Sequence, residues 1–196
     1  MTLLILGLAA FLGIHAFTIA RGPRAALVGR IGEAGYKIAY ALISLIGLVL
    51  IGEGYGAYRA AGYIPVWDPP TWTRHLSALV LLPVFPLLFS AYAKGFVKAR
   101  LKHPMILAVK TWALAHLLAN GDLGSMLLFS GFLAWAVVAF ISMRRRPSGE
   151  TPVFLSSVGF VPNPGQDAAA ILGGIIVWAA MIFGLHKWLI GVGVFW

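Results

Sequence analysis

Long apolar runs recur along this chain, separated by short basic segments, and that pattern constrains its fold more than any motif does. A helix of roughly 17–25 mostly apolar residues crosses a hydrocarbon core of about 30 Å, and lipid offers a spanning backbone no hydrogen-bond partner but itself. Such runs fall at residues 2–20, 37–51, 75–93, 104–120, 123–143 and 168–188, the second extending a little at either end. They predict an all-α polytopic membrane helix bundle of about six transmembrane helices, organised as a single membrane domain over residues 1–196. Composition agrees: 60% of the residues are hydrophobic and 11% charged, whereas a soluble domain carries about 25% charged residues to face water.

The formal charge of +9 has its source in the loops. Eleven of the fifteen basic residues lie in three connections: Arg21, Arg24, Arg30 and Lys37; Lys94, Lys98, Arg100 and Lys102; and Arg144, Arg145 and Arg146. Lys and Arg mark the cytoplasmic side, so these connections predict a multi-pass protein of a bacterial inner membrane with both termini periplasmic or external. The same asymmetry explains the basic balance without nucleic acid, and it predicts a cytoplasmic face attractive to anionic lipid. No basic residue precedes the first apolar run, and Arg21, Arg24 and Arg30 follow it, which reads as a retained helix and not a cleavable signal.

The connections differ in kind. Residues 52–74 hold Gly54, Gly56, Gly62, Pro65, Pro69 and Pro70 among Tyr55, Tyr58, Tyr63, Trp67 and Trp72, which predicts an aromatic-rich loop at the outer headgroup level. Residues 147–167, with Pro152, Pro162 and Pro164, read as a cytoplasmic loop. Asn120-Gly121-Asp122 predicts a tight turn making the fourth and fifth helices an antiparallel hairpin, and Pro83 and Pro86 predict a kink in the third.

Chemistry at membrane depth has few carriers. Cysteine is absent, so disulfides, thiolate ligands and thiol nucleophiles are excluded. The six carboxylates, Glu33, Glu53, Asp68, Asp122, Glu150 and Asp167, lie outside the interiors of the expected helices and offer no acid–base dyad. The histidines remain: His15 in the first helix, His116 in the fourth, His75 and His103 at helix ends, and His186 late in the sixth. Each has an ordinary reading as a neutral, hydrogen-bonded imidazole, yet imidazole is also the natural ligand for haem iron in a helix bundle. The fourth helix is the richest element. Trp112 lies one turn before His116, with Ala113 and Asn120 on the same stripe, and a planar macrocycle or plain helix packing both suit that arrangement. Lys110 near mid-segment is open to a haem propionate, an acid on a neighbouring helix, or the interface by snorkelling.

The run Lys102-His103-Pro104, then Lys110-Thr111-Trp112-Ala113-Leu114-Ala115-His116-Leu117-Leu118-Ala119-Asn120-Gly121-Asp122, resembles the signature of NnrU-domain membrane proteins, whose relatives include the plant 15-cis-ζ-carotene isomerase. The first-helix segment Phe11-Leu12-Gly13-Ile14-His15 fits as well, and the resemblance covers nearly the whole chain. It implies haem b held by axial His15 and His116, and Lys110, Trp112 and Asn120 on the fourth helix are the candidates to lie around such a cofactor. It also implies an association with denitrification and nitric oxide metabolism, or haem-dependent isomerase-like redox chemistry on a hydrophobic substrate in the bilayer. The isomerase carries a cysteine three residues before the second histidine, where this chain has Ala113, so a ligand swap through that position is not available. Counting depth along straight helices pairs His15 with His103, and His116 with His75 or His186, which keeps His103 as an alternative ligand. A non-catalytic accessory protein supporting respiratory enzyme assembly or expression is the competing reading. His103-Pro104 is also found in isoprenylcysteine-type membrane methyltransferases, but the adjacent glutamates expected with it are missing.

Overall fold

A computed structural model describes residues 1–145 and 160–195. Among them the chain runs α1 (Thr2–Phe17), α2 (Arg21–Ala60), α3 (Thr71–Leu81), α4 (Val84–Ser90), α5 (Phe96–Leu101), α6 (Pro104–Ala119), α7 (Leu123–Arg144) and α8 (Pro164–Ala180). A π-helical turn, Met181–Leu185, then leads into α9 (His186–Ile190). Arg146, Pro147 and Pro152 of the expected cytoplasmic loop lie outside the described residues. The fold is that of a helical membrane protein, and no strand pairs beyond an isolated bridge between Pro65 and Asp122 among the described residues.

Every expected apolar segment is helical over most of its length, but among the described residues four stretches, not six, are both long and apolar enough to cross a membrane: Arg21–Ala60, Thr71–Ser90, Leu123–Arg144 and Pro164–Ile190. Thr2–Phe17 and Pro104–Ala119 have 16 residues each, about 24 Å at ~1.5 Å per residue, short of the roughly 30 Å core. Local bonds set those lengths. Thr18 Oγ1 donates to the His15 carbonyl at 2.6 Å, and the Ile19 and Ala20 amides turn back to Ala16 and Phe17, closing α1 three residues before the expected end. Lys102, at φ 63°, and Pro104 at the first position fix the start of α6, and an extended Asn120 ends it.

The chain divides into two compact units. The first comprises Met1–Trp67 and Gly121–Trp135, so it contains α1, α2 and the first part of α7. Here α1 packs antiparallel on α2 through glycines, because without a hydrophobic drive between helices in lipid, close backbone approach supplies the dispersion contacts. A Cβ at Gly7 would sit 2.6 Å from the Ile51 nitrogen, one at Gly47 would sit 2.7 Å from the Phe11 nitrogen, and one at Gly54 would strike the Leu4 backbone. Leu4 is fully buried in this seam.

The loop after α2 is stapled to the start of α7. Gly121 O accepts from the amides of Val66 (2.8 Å) and Trp67 (3.1 Å), and the Leu123 amide donates to Ile64 O at 2.9 Å. Asp122 caps α7, accepting from Ser125 N at 2.9 Å and Ser125 Oγ at 2.5 Å, while Tyr55 Oη lies 2.6 Å from the same Oγ. The Tyr58 hydroxyl accepts from Ile64 N at 3.0 Å, and its ring fills the space a side chain at Gly124 would need.

The second unit comprises Asp68–Asn120 and Ala136–Trp196. The expected third helix is divided at Leu82–Pro83 into α3 and α4, as its two prolines predict. Pro86 of α4 seats against Gly174 of α8, Phe89 lies on Gly173, and Trp178 Nε1 donates to Ala78 O at 3.0 Å. Asn163 caps α8 through Gly165 N (2.8 Å) with Pro164 at the first position. The carboxylate of Asp167 accepts from the amides of Phe96 (2.6 Å) and Val97 (3.1 Å), so α8 caps the start of α5. Lys98 on α5 is buried, and that desolvation, with Lys94 nearby, lowers its ammonium pKa below the ordinary lysine value.

Candidate functional site

His15 sits on the last turn of α1. Its Nδ1 lies 2.7 Å from the carbonyl of Phe11, one turn earlier. A carbonyl only accepts, so Nδ1 carries the proton and Nε2 keeps the lone pair. The ring stacks on Phe11 at 4.2 Å between centroids, lies 5.1 Å from Tyr40, and meets Trp135 edge-on at 5.6 Å. Three helices of the first unit therefore contribute one ring each around this imidazole.

His116 occupies the equivalent place on α6, in the second unit. Its Nδ1 lies 2.8 Å from the Trp112 carbonyl, which assigns the same tautomer, and the Trp112 ring is 5.2 Å away at 52°. Asn120 is spent on the helix end: both its backbone amide (3.0 Å) and its Nδ2 (2.8 Å) donate to the His116 carbonyl. Trp112 also walls a cavity of about 190 Å³ with Val84, Phe85, Leu88, Ala108 and Val109. Ligand pockets usually span roughly 300–1,000 Å³, so this one admits only part of a ligand.

The remaining sequence candidates are scattered. Lys110 lies with Nζ 4.6 Å above the Phe140 ring, a cation–π contact that offsets its burial in place of an acid. Arg144 lies over the same ring at 5.7 Å, and buried His103, the residue that caps α6, meets it edge-on at 6.4 Å. His75 stacks on Phe195 at 5.0 Å. His186 follows the π turn and places Nδ1 2.7 Å from the Val192 carbonyl. Among the described residues, no three His, Asp or Glu gather to hold a metal ion. No local spacing in the sequence signals Tyr40 and Trp135 beside His15, because their approach depends on packing.

A family model described as NnrU protein matches residues 3–194. The chain belongs to the NnrU family. No curated protein and no solved structure matches it. Within the NnrU motif of this chain the structure separates two tasks. Trp112 and His116 form an oriented imidazole with an aromatic neighbour, whereas Gly121 and Asp122 form the staple that joins the loop after α2 to α7.

Proposed function

We propose that this NnrU-family membrane protein binds haem b, which His15 and His116 would hold, and that it acts in redox or isomerase-like chemistry on a hydrophobic substrate, in the setting of denitrification or nitric oxide metabolism. One observation carries the reading. On two separate helices, a histidine donates Nδ1–H to the carbonyl four residues earlier, and the residue there is aromatic. This arrangement fixes the tautomer and ring direction and leaves Nε2 as the basic nitrogen, which is how a ligating imidazole is oriented by its outer partner. The donor chemistry thus fits the group.

In this reading the chain's own residues do three things. The Phe11 and Trp112 carbonyls hold the protons on Nδ1. Phe11, Tyr40 and Trp135 flank the His15 ring, and Trp112 offers a flat apolar wall beside His116. Lys110 supplies a cation on the face of α6, held on Phe140 until a carboxylate competes for it. The haem, when bound, would supply one-electron or Lewis-acid chemistry at iron. The test is the absorption of protein purified after expression with ample haem: a Soret band lost in His15→Ala and in His116→Ala is expected, and loss in His103→Ala with His15→Ala unaffected would transfer the ligand role to His103. A colourless protein overturns the reading.

A second reading, a non-catalytic accessory to respiratory enzyme assembly, is favoured by the structural occupation of three of the six carboxylates. Asp122 and Asp167 cap helices, and Glu33 pairs with Arg24 and Lys37. It requires that deletion abolish a partner enzyme's activity while each of the five histidines proves dispensable.

A further inference from the structure

Residues 21–31 form a helix distinct from the span that follows. At Gly32 the backbone takes φ 76° and ψ 162°, a region essentially reserved for glycine, and the helical path bends there. The segment before the bend is a stem about 16 Å long at ~1.5 Å per residue. It carries Arg21, Arg24 and Arg30 and no carboxylate. Arg21 and Arg30 are exposed, Leu27 and Val28 half-exposed, and Ile31 is 45% exposed. Arg24 instead reaches back across the bend, 3.7 Å from Glu33 and 5.0 Å above the Tyr36 ring, so the stem is folded toward the span and held there.

The antiparallel seat of α1 on α2 says where the stem lies. Leu4 meets Gly54, Phe11 meets Gly47, and His15 lies beside Tyr40, so the chain leaves α1 and enters the span at the same end of both helices. A stem joining those ends sits where hydrocarbon gives way to headgroups. We propose that residues 21–31 form an interfacial helix that binds anionic phospholipid headgroups through Arg21 and Arg30, with Leu27, Val28 and Ile31 entering the acyl boundary and Arg24 holding the bend. Guanidinium groups match phosphate with paired hydrogen bonds, and a short basic helix with aliphatic side chains lies in the interface plane when anionic lipid is present. Exposed Ile31 and half-exposed Leu27 and Val28 beside the arginines, at the end of a spanning helix, favour a lipid surface over an acidic protein.

The test uses the full chain in nanodiscs of phosphatidylcholine alone or mixed with phosphatidylglycerol, reading amide hydrogen exchange of residues 21–31. Protection is expected to rise on the order of tenfold with phosphatidylglycerol and to fall again with added salt. The double variant Arg21→Gln/Arg30→Gln should lose that lipid dependence while exchange in residues 38–51 stays unchanged. Equal protection in the two lipids, or a dependence undiminished in the double variant, overturns the proposal. If the double variant fails to fold, the salt titration of the unaltered protein decides: protection in phosphatidylglycerol that ignores salt overturns it as well.

Discussion

His15 and His116 share one local bond and differ in nearly everything around it. Each imidazole is tied to the carbonyl four residues back, beside an aromatic ring carried by that same residue. Around His15, however, α2 and α7 add Tyr40 and Trp135, whereas Trp112 beside His116 faces a cavity of about 190 Å³ lined by α4 and α6. The orientation of each ring is thus written in its own helix, and the environment is written in the packing of others. His15 is ringed by aromatic side chains from three helices, whereas His116 has the one aromatic neighbour, Trp112, that also lines the cavity.

The comparison can be broken most strongly at the glycines. Gly54→Leu drives a side chain into the Leu4 backbone and should unseat α1 from α2, costing roughly 1–3 kcal/mol or more, read as lost monodisperse yield in detergent. Gly174→Leu, against Pro86, is the matching insult to the second unit. Under the proposed function, Gly54→Leu should disturb the His15 signal first and Gly174→Leu the His116 signal first. Next in size is Asp122→Ala, which removes a helix cap and leaves Ser125 without its acceptor. A loss of about 0.5–2 kcal/mol is expected, measured as a lowered thermal midpoint, with the bond between His15 and Phe11 unaffected. Trp135→Leu should remove an edge-on ring contact of about 0.5–1.5 kcal/mol and broaden the His15 ring resonances, leaving those of His116 unmoved. Lys110→Met is the smallest: it exchanges a cation–π contact of about 0.5–2 kcal/mol for an apolar side chain in lipid, so the thermal midpoint should change by no more than a few degrees.

How legible this was in the sequence depended on whether the signal was local. The pairing of Trp112 with His116 followed from four-residue spacing, and the break in the third apolar run followed from Pro83 and Pro86. Glycine was ambiguous. Gly54 and Gly56 read as loop residues, yet α2 continues to Ala60, because Gly54 serves close helix approach and not a turn. Residues 21–31 read as a basic connection, since three arginines and Pro23 masked a helix that the Gly32 bend sets apart from the span. Asn163 and Pro164 are a helix-start signal, and the sixth apolar helix begins there, four residues before the expected Ala168. Lys110 on Phe140 lay beyond local reading altogether, because the ring comes from α7.

The proposed function rests on His15 and His116, each oriented through its own helix, as the residues that would hold haem. A reduced-minus-oxidised absorption spectrum of the purified protein, recorded beside His15→Ala and His116→Ala, tests it most directly. Difference bands of haem b are expected in the unaltered protein, with their loss in both variants. A flat difference spectrum in protein expressed with ample haem, or full bands persisting in either variant, would contradict it.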